Sequence, residues 1–410
     1  MIKQVIKLLP TQPLVRQYLV ITASYWAFTL TDGALRMLIV LYFYQLGYQP
    51  FDIAMLFVFY EAFGVVTNLF GGWLGAKVGL NKTLHIGLGL QIFALLMLFA
   101  ASPDLTMVYV MVAQALSGIA KDLNKMSAKS AIKLLVAEDA QHQLYQWVAL
   151  LTGSKNTIKG LGFFMGGLLL TLYGFAVALA IMAAMLSIVW AVSLLLLTQD
   201  LGKAQYKVKF RQIFSKSEAI NLLSAARLFL FGARDVWFVI ALPVYLAAQF
   251  GWSHSWVGAF MACWVIGYGI IQSFAPYFTG NKQGRVPTAK DALGWASGLS
   301  VIPVIISLGL YADFYPQLML LAGLLVFGAI FAINSSLHSY LIVRFASRDG
   351  VSMDVGFYYM ANAMGRLIGT VLSGLIYQMY GLEACLWLSS LFVAAACVCS
   401  LKLSQSTAAS

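Results

Sequence analysis

Apolar runs of about twenty residues follow one another along nearly the whole chain, separated by short breaks. A helix of that length crosses the hydrocarbon core of a bilayer, roughly 30 Å thick. Of the 410 residues, 61% are hydrophobic and 10% charged, whereas a soluble domain carries about 25% charged residues. The chain is therefore expected to be an all-α membrane protein, with nothing left over for a sizeable soluble domain. Reading hydropathy against the breaks places helices near 17–46, 51–76, 83–101, 105–130, 143–173 and 175–198, then 219–248, 255–278, 291–311, 316–343, 353–380 and 382–402. That pattern predicts twelve transmembrane helices in two six-helix halves: an N-terminal half over 1–198, a basic cytoplasmic linker over 199–218 and a C-terminal half over 219–410.

Lys and Arg in the loops set the orientation. One side carries Lys3, Lys7, Arg16, Lys77, Lys82, Lys203, Lys207, Lys209, Arg211, Lys216, Lys282, Arg285, Lys290, Arg344, Arg348 and Lys402. The opposite loops, around Gly47, Ser102, Gly174, Ser253, Asp313 and Gly381, carry none. Both termini and the linker are expected to face the cytoplasm from a cell inner (plasma) membrane. Lys3, Lys7 and Arg16 before an apolar stretch resemble a signal peptide, but the stretch is too long and holds Asp32 and Arg36, so it reads as the first retained helix. The formal net charge of +11 then needs no nucleic-acid partner. Its loop share is a topology signal lying against anionic headgroups of the lipid bilayer. Cys263, Cys385, Cys397 and Cys399 form no CxxC pair, and no His cluster stands at metal spacing. No metal or cofactor is expected.

Charges that loops do not explain remain inside the helices. Lys121, Lys125, Lys129 and Lys133 recur at steps of four, and Lys155 and Lys159 repeat the step on the next helix. A step of four stacks side chains on one face. An ammonium held in a spanning helix costs several kcal/mol unless it meets water, an acid or an anion. Lys129 and Lys133 are expected to reach the cytoplasmic interface. Asp32 and Arg36 have the spacing of a salt bridge along one helix or of a pair lining a cavity. Arg227 and Arg366 could pair with Asp235 or Glu61. Counting Arg36, Lys121, Lys125, Lys155, Lys159, Arg227, Arg234 and Arg366 gives eight bases, and counting Asp32, Glu61, Asp122, Asp235 and Asp354 gives five acids. Internal pairing cannot neutralise that surplus, which argues for an anionic small-molecule substrate. Arg36 and Arg234 stand on the first and seventh helices, matching positions of the two halves, and a midplane site between halves is a common transporter plan. Gly162 and Gly166 form a small-xxx-small pair that fits close helix packing or a gating hinge.

The stretch GGWLGAKVGLNKT over 71–83 resembles the signature that major facilitator superfamily transporters carry between their second and third helices. Gly72, Lys77, Gly79 and Lys82 fit that gating loop, while Ala76 stands where the superfamily has an aspartate. GFFMGG over 162–167 resembles the superfamily's antiporter motif, with Phe163 in place of proline. YWAFTLTDGALRM (25–37), SGIAKDLNKMSAKS (117–130), VALLTGSKNTIKG (148–160) and GARDVW (232–237) resemble the ArsJ-type family of organoarsenical efflux permeases.

That second resemblance implies export of 1-arseno-3-phosphoglycerate, and so arsenate resistance, with a functional link to the glyceraldehyde-3-phosphate dehydrogenase that makes this ester. Most members of the superfamily act as monomers, which is the expectation here, and no enzymatic activity is expected. A cargo with phosphate and arsenate heads suits Arg36, Arg234, Lys121, Lys125, Lys155 and Lys159 as oxyanion contacts, because Arg forks and Lys point charges both bind such groups. Asn124, Asn156 and Gln272 would read hydroxyl or carbonyl oxygens. Asp32, Glu61, Asp122 and Asp235 are candidate proton carriers for an antiport cycle, and uniport stays open. A general organophosphate/phosphate antiporter would use the same residues. A lipid phosphotransferase would need a catalytic constellation that the sequence lacks, and a scaffold without transport would leave the intramembrane charges unexplained.

Overall fold

The computed structural model describes residues 13–48, 53, 55–102, 105–136, 140–197, 201–203, 217–252, 254–280, 286–348 and 351–409. Lys3, Lys7, most of the linker with Lys207, Lys209, Arg211 and Lys216, and also Ser253, Lys282 and Arg285, lie outside the described residues. The described residues form helices and no strands. In chain order these are α1 (Pro13–Gln45), α2 (Val58–Val78), α3 (Leu80–Ala100), α4 (Met107–Leu135), α5 (Gln141–Leu196) and α6 (Glu218–Phe238). They continue with α7 (Ala241–Phe250), α8 (His254–Ser273), α9 (Ala275–Phe278), α10 (Ala289–Tyr311), α11 (Pro316–Phe345) and α12 (Val351–Ala409).

Local chemistry starts these helices where the sequence supplies caps. The Thr106 hydroxyl accepts from Tyr109 N–H at the head of α4, and the Ser217 hydroxyl accepts from Ile220 N–H at the head of α6. Thr288 and Asp291 form a reciprocal capping box on α10, so first-turn amides that lack a helical partner are met. Two helices are far longer than a bilayer is thick: α5 has 56 residues and α12 has 59. Each is broken once, at Gly174 (φ 74°, ψ 177°) and at Gly381 (φ 81°, ψ −175°). Only glycine visits that backbone region readily. Both fall at the boundaries expected from hydropathy, so α5 and α12 each supply two successive spans.

Eight described stretches are long and apolar enough to cross a membrane, α5 and α12 among them. The helices α2 and α4 are long enough but more polar. Glu61, Asn68 and Lys77 dilute the first, and Lys121, Asp122, Lys125, Lys129 and Lys133 the second. With α5 and α12 counted twice and these two included, the architecture is twelve transmembrane helices.

The chain divides into two compact units. Unit 1 is Met1–Ala140, Leu161–Ile213 and Ser347–Gly356; unit 2 is Gln141–Gly160, Phe214–Ala346 and Phe357–Ser410. The core of unit 1 packs Leu35, Leu38 and Phe43 of α1 with Leu95 and Leu98 of α3, Val110 of α4 and Phe175, Leu179 and Met182 of α5. Unit 2 packs Trp237 edge-on against Trp264 and Phe327, with ring centroids 6.0 and 5.2 Å away. Outward residues such as Phe93, Leu172, Ile188, Val301 and Leu391 stay exposed, as lipid-facing side chains must.

In lipid, burying one apolar side chain against another gains little transfer energy, so close contact and hydrogen bonds hold helices together. Gly162 and Gly166 of α5 are packed against the α1 backbone. A Cβ on Gly162 would stand 2.5 Å from Leu30 O, and one on Gly166 would stand 3.0 Å from Ala34 Cα. Close packing is the observed role of this glycine pair.

Candidate functional site

Six charged residues of unit 1 gather on α1, α2 and α4 around Tyr60. On α1, Asp32 is 5% exposed and accepts a hydrogen bond from the Tyr60 hydroxyl at 2.6 Å. One turn later Arg36 lies over the Phe57 and Tyr60 rings, 4.9 and 5.3 Å from their centroids, with Nη2 3.4 Å from Glu61 Oε1. From α4, Lys121 Nζ sits 3.8 Å from the Tyr60 centroid and 3.9 Å from both Glu61 Oε2 and Asp122 Oδ2. Lys125 Nζ closes on Asp122 Oδ1 at 2.5 Å. Three bases therefore meet three acids, and the cluster is neutral by formal count. The aromatic faces add cation–π attraction, worth about 2 kcal/mol where water is excluded.

Unit 2 arranges its charges differently. Asp235 of α6 is wholly buried, and two guanidiniums converge on it. Arg234 Nη2 lies 2.5 Å from Oδ1, and Arg366 Nε of α12 lies 3.1 Å from Oδ2. Arg234 also spreads over Phe231, Phe331 and Phe238 at 4.9, 5.6 and 5.8 Å.

Two turns before Arg234, Arg227 is 3% exposed and bonds only to neutral groups. Its Nε donates to Asn362 Oδ1 at 2.9 Å, and its Nη1 donates to Ser335 O at 3.1 Å and Ser335 Oγ at 3.0 Å. Ser335 Oγ also accepts from Gln272 Nε2 at 3.1 Å, and Gln272 Oε1 accepts from Asn156 Nδ2 at 2.7 Å. One polar thread thus ties α5, α8, α11, α6 and α12.

The sequence-derived candidates fall into several groups. Arg36, Lys121 and Lys125 come together with Asp32, Glu61 and Asp122, and Arg234 stands with Asp235. Asn156 and Gln272 join the Arg227 thread, and Lys155 and Lys159 are half-buried on the same stretch of α5. Asn124 is buried on α4, and its Nδ2 donates to Ala120 O at 2.8 Å, a turn of its own helix. Lys129 is 2% exposed, so protein covers it where the sequence suggested an interfacial ammonium.

In the stretch that the sequence suggested as a gating loop, Gly79 has φ 98° and separates α2 from α3. Lys77 is exposed and stacks on Trp73 at 4.6 Å. Lys82 is also exposed, while Gly72 is buried and its carbonyl accepts from Ser352 Oγ at 2.7 Å. Tyr60, Ser335, Asn362 and the neutral setting of Arg227 are the features that sequence reasoning missed. No periodicity marks a partner that lies more than a hundred residues away. No group of three His, Cys, Asp or Glu side chains able to hold a metal occurs among the described residues.

The family model described as Major Facilitator Superfamily matches residues 21–237 and again 223–409. No curated protein sequence matches the chain. Among solved structures, a bacterial homologue of the iron transporter ferroportin, in its outward-facing state, superposes with TM-score 0.73 at 14% identity, covering 96% of this chain and 100% of that one. The human organic anion transporter MFSD10 (TETRAN) gives TM-score 0.74 at 14% identity over 95% and 100% of the two chains. The E. coli fucose:proton symporter FucP gives 0.73 at 14% identity over 96% and 100%. At such identities the likeness is one of fold.

Proposed function

Because the chain belongs to the Major Facilitator Superfamily and is a membrane transporter, we propose that its cargo is a small organic oxyanion, the arsenate ester 1-arseno-3-phosphoglycerate, exported from the cytoplasm by alternating access. One observation carries this reading: in unit 2 the cations outnumber the acid that faces them. Arg234 and Arg366 share Asp235, and Arg227 is held by neutral groups alone. Intramembrane bases on α1, α4 and α5 of the kind that meet oxyanions agree with it. The sequence resemblance over 25–37, 117–130, 148–160 and 232–237 supplies the identity of the cargo. The fold itself accommodates anions, as the name of the human organic anion transporter states.

In this reading Arg36, Lys121, Lys125, Lys155, Lys159 and Arg234 contact the cargo's oxyanion heads, with Asn124, Asn156 and Gln272 as candidates for its neutral oxygens. Asp32, Glu61, Asp122 and Asp235 are the groups able to exchange protons for cargo. Gly72, Lys77, Gly79 and Lys82 form the gating loop. The protein sits in the inner membrane with both termini cytoplasmic and works as a monomer.

Everted membrane vesicles test the proposal. Supplied with arsenate, glyceraldehyde-3-phosphate, NAD and purified dehydrogenase, they should accumulate arsenic only when every component is present. Arg36→Ala at equal protein level should abolish that uptake. Uptake stopped by nigericin in potassium medium, which collapses the pH gradient and spares the potential, would support proton antiport, and uptake that persists would support uniport. Accumulation of 3-phosphoglycerate without arsenate, and no arsenic uptake from the full mixture, would overturn the arsenic assignment and leave a general organophosphate carrier.

A further inference from the structure

Arg227 differs from the other intramembrane bases whose partners are described above, because no carboxylate answers it among the described residues. Its three hydrogen bonds use Nε and Nη1, and the acceptors are an amide oxygen, a backbone carbonyl and a hydroxyl. The two N–H groups of Nη2 make no hydrogen bond among the described residues. The guanidinium lies against the faces of Phe231 and Tyr358, 3.9 and 5.3 Å from their centroids. A buried ion loses several kcal/mol of hydration, which neutral hydrogen bonds offset only in part.

The helix that receives it adds a second, independent sign. On α11, Asn334 is fully buried and neither its Nδ2 nor its Oδ1 has a partner among the described residues. One turn on, His338 is 1% exposed with Nδ1 unbonded among the described residues, and Ser335, which holds Arg227, lies between the two on α11. Single unmet atoms recur in this structure, but among the described residues Asn334 alone has both of its side-chain polar atoms unmet, and an absent ligand is one cause. A buried cation with unused donors, held by Ser335 on a helix turn whose neighbouring amide and imidazole are unbonded, fits a small anion. Arg's planar fork favours one with two oxygens over a single halide.

We propose that Arg227 anchors a subsite inside unit 2 for one tetrahedral oxyanion, phosphate or arsenate in form, with Asn334 and His338 as its polar neighbours on α11. The subsite takes such a group either as inorganic anion or as one head of an organic cargo. The second source rests on the export reading above; the first does not. Besides being candidates for the cargo's neutral oxygens, Gln272 and Asn156 then also act through Ser335, helping to hold the acceptor side of Arg227 fixed.

The test uses the full chain in detergent micelles, in gluconate buffer of constant ionic strength and pH. Melting temperature is followed against inorganic phosphate, arsenate, 3-phosphoglycerate and chloride. The wild type should show a saturable rise with the oxyanions and none with chloride. Whichever of phosphate and 3-phosphoglycerate half-saturates lower identifies the source.

Arg227→Gln should raise the phosphate half-saturation about tenfold or more, the loss of one charged hydrogen-bonding group. Arg227→Lys should fall between that variant and the wild type, and the exposed Lys402→Gln should match the wild type. If Arg227→Gln does not fold, Asn334→Ala keeps the guanidinium and should still weaken phosphate severalfold. No saturable oxyanion effect in the wild type, an equal effect of chloride, or an unchanged half-saturation in Arg227→Gln would overturn the subsite. Phosphate binding lost with Arg227 in a protein whose vesicles take up no arsenic would overturn the export assignment and leave the subsite standing.

Discussion

Tyr60 serves two neighbours with one side chain. Its hydroxyl donates to Asp32 at 2.6 Å, and its ring seats Lys121 Nζ 3.8 Å from the centroid. The two contributions separate by substitution. Tyr60→Phe keeps the ring and removes the donor, leaving a buried carboxylate oxygen short of a partner at a cost of about 1–3 kcal/mol. Tyr60→Leu removes the cation–π seat as well, adding about 1–2 kcal/mol in this water-poor setting. Melting of the purified protein should therefore rank wild type above Tyr60→Phe above Tyr60→Leu. If Phe and Leu melt together, the ring contributes nothing to holding Lys121.

At the scale of the element, α5 and α12 each form one unbroken run except at a single glycine. Gly174 and Gly381 hold φ near +80° with ψ near 180°, a region that costs a residue with a Cβ about 1–3 kcal/mol. Gly294, inside α10, keeps helical dihedrals, and a Cβ added there would meet no heavy atom within 4 Å. Gly174→Ala and Gly381→Ala should each lower the melting temperature, whereas Gly294→Ala should leave it unchanged or raise it, since alanine is favoured over glycine in a helix by about 1 kcal/mol. Equal effects at all three positions would show that the breaks are not held by backbone strain. The two breaking glycines are legible in the sequence, because each lies between two apolar runs too long together for one span. The short break after Phe238 escapes the hydropathy reading, although Pro243 signals it: proline has no N–H for the carbonyl of Val239, four residues back, which is where the helix is interrupted.

Across the whole molecule, the sequence showed which helices carry charge but not which charges meet. Steps of four placed Lys121 and Lys125 on one helix face, and they do share a neighbourhood. Spacing did not reveal that Asp32, Glu61 and Asp122 match the three bases of unit 1, because those contacts join α1, α2 and α4. Nor could it reveal that Arg227 finds its acceptors on α11 and α12, 108 and 135 residues away. The eight-to-five surplus of bases therefore does not spread evenly: Arg36, Lys121 and Lys125 of unit 1 stand against Asp32, Glu61, Asp122 and Asp354, whereas Lys155, Lys159, Arg227, Arg234 and Arg366 of unit 2 stand against Asp235. That difference predicts opposite responses to neutralising a base. Lys125→Met should leave Asp122, 2% exposed, without its closest cation, costing about 3–5 kcal/mol as for a broken buried pair. Adding Asp122→Asn should restore most of that loss, because the pair is removed together. Arg227→Met removes a charge that no carboxylate balances, so no acid-to-amide partner should rescue it, and its melting temperature in phosphate-free buffer should fall less than that of Lys125→Met. The two single variants and the double variant, melted side by side, decide the matter: an Asp122→Asn change that fails to rescue Lys125→Met would mean the unit 1 cluster is not held by its charge balance.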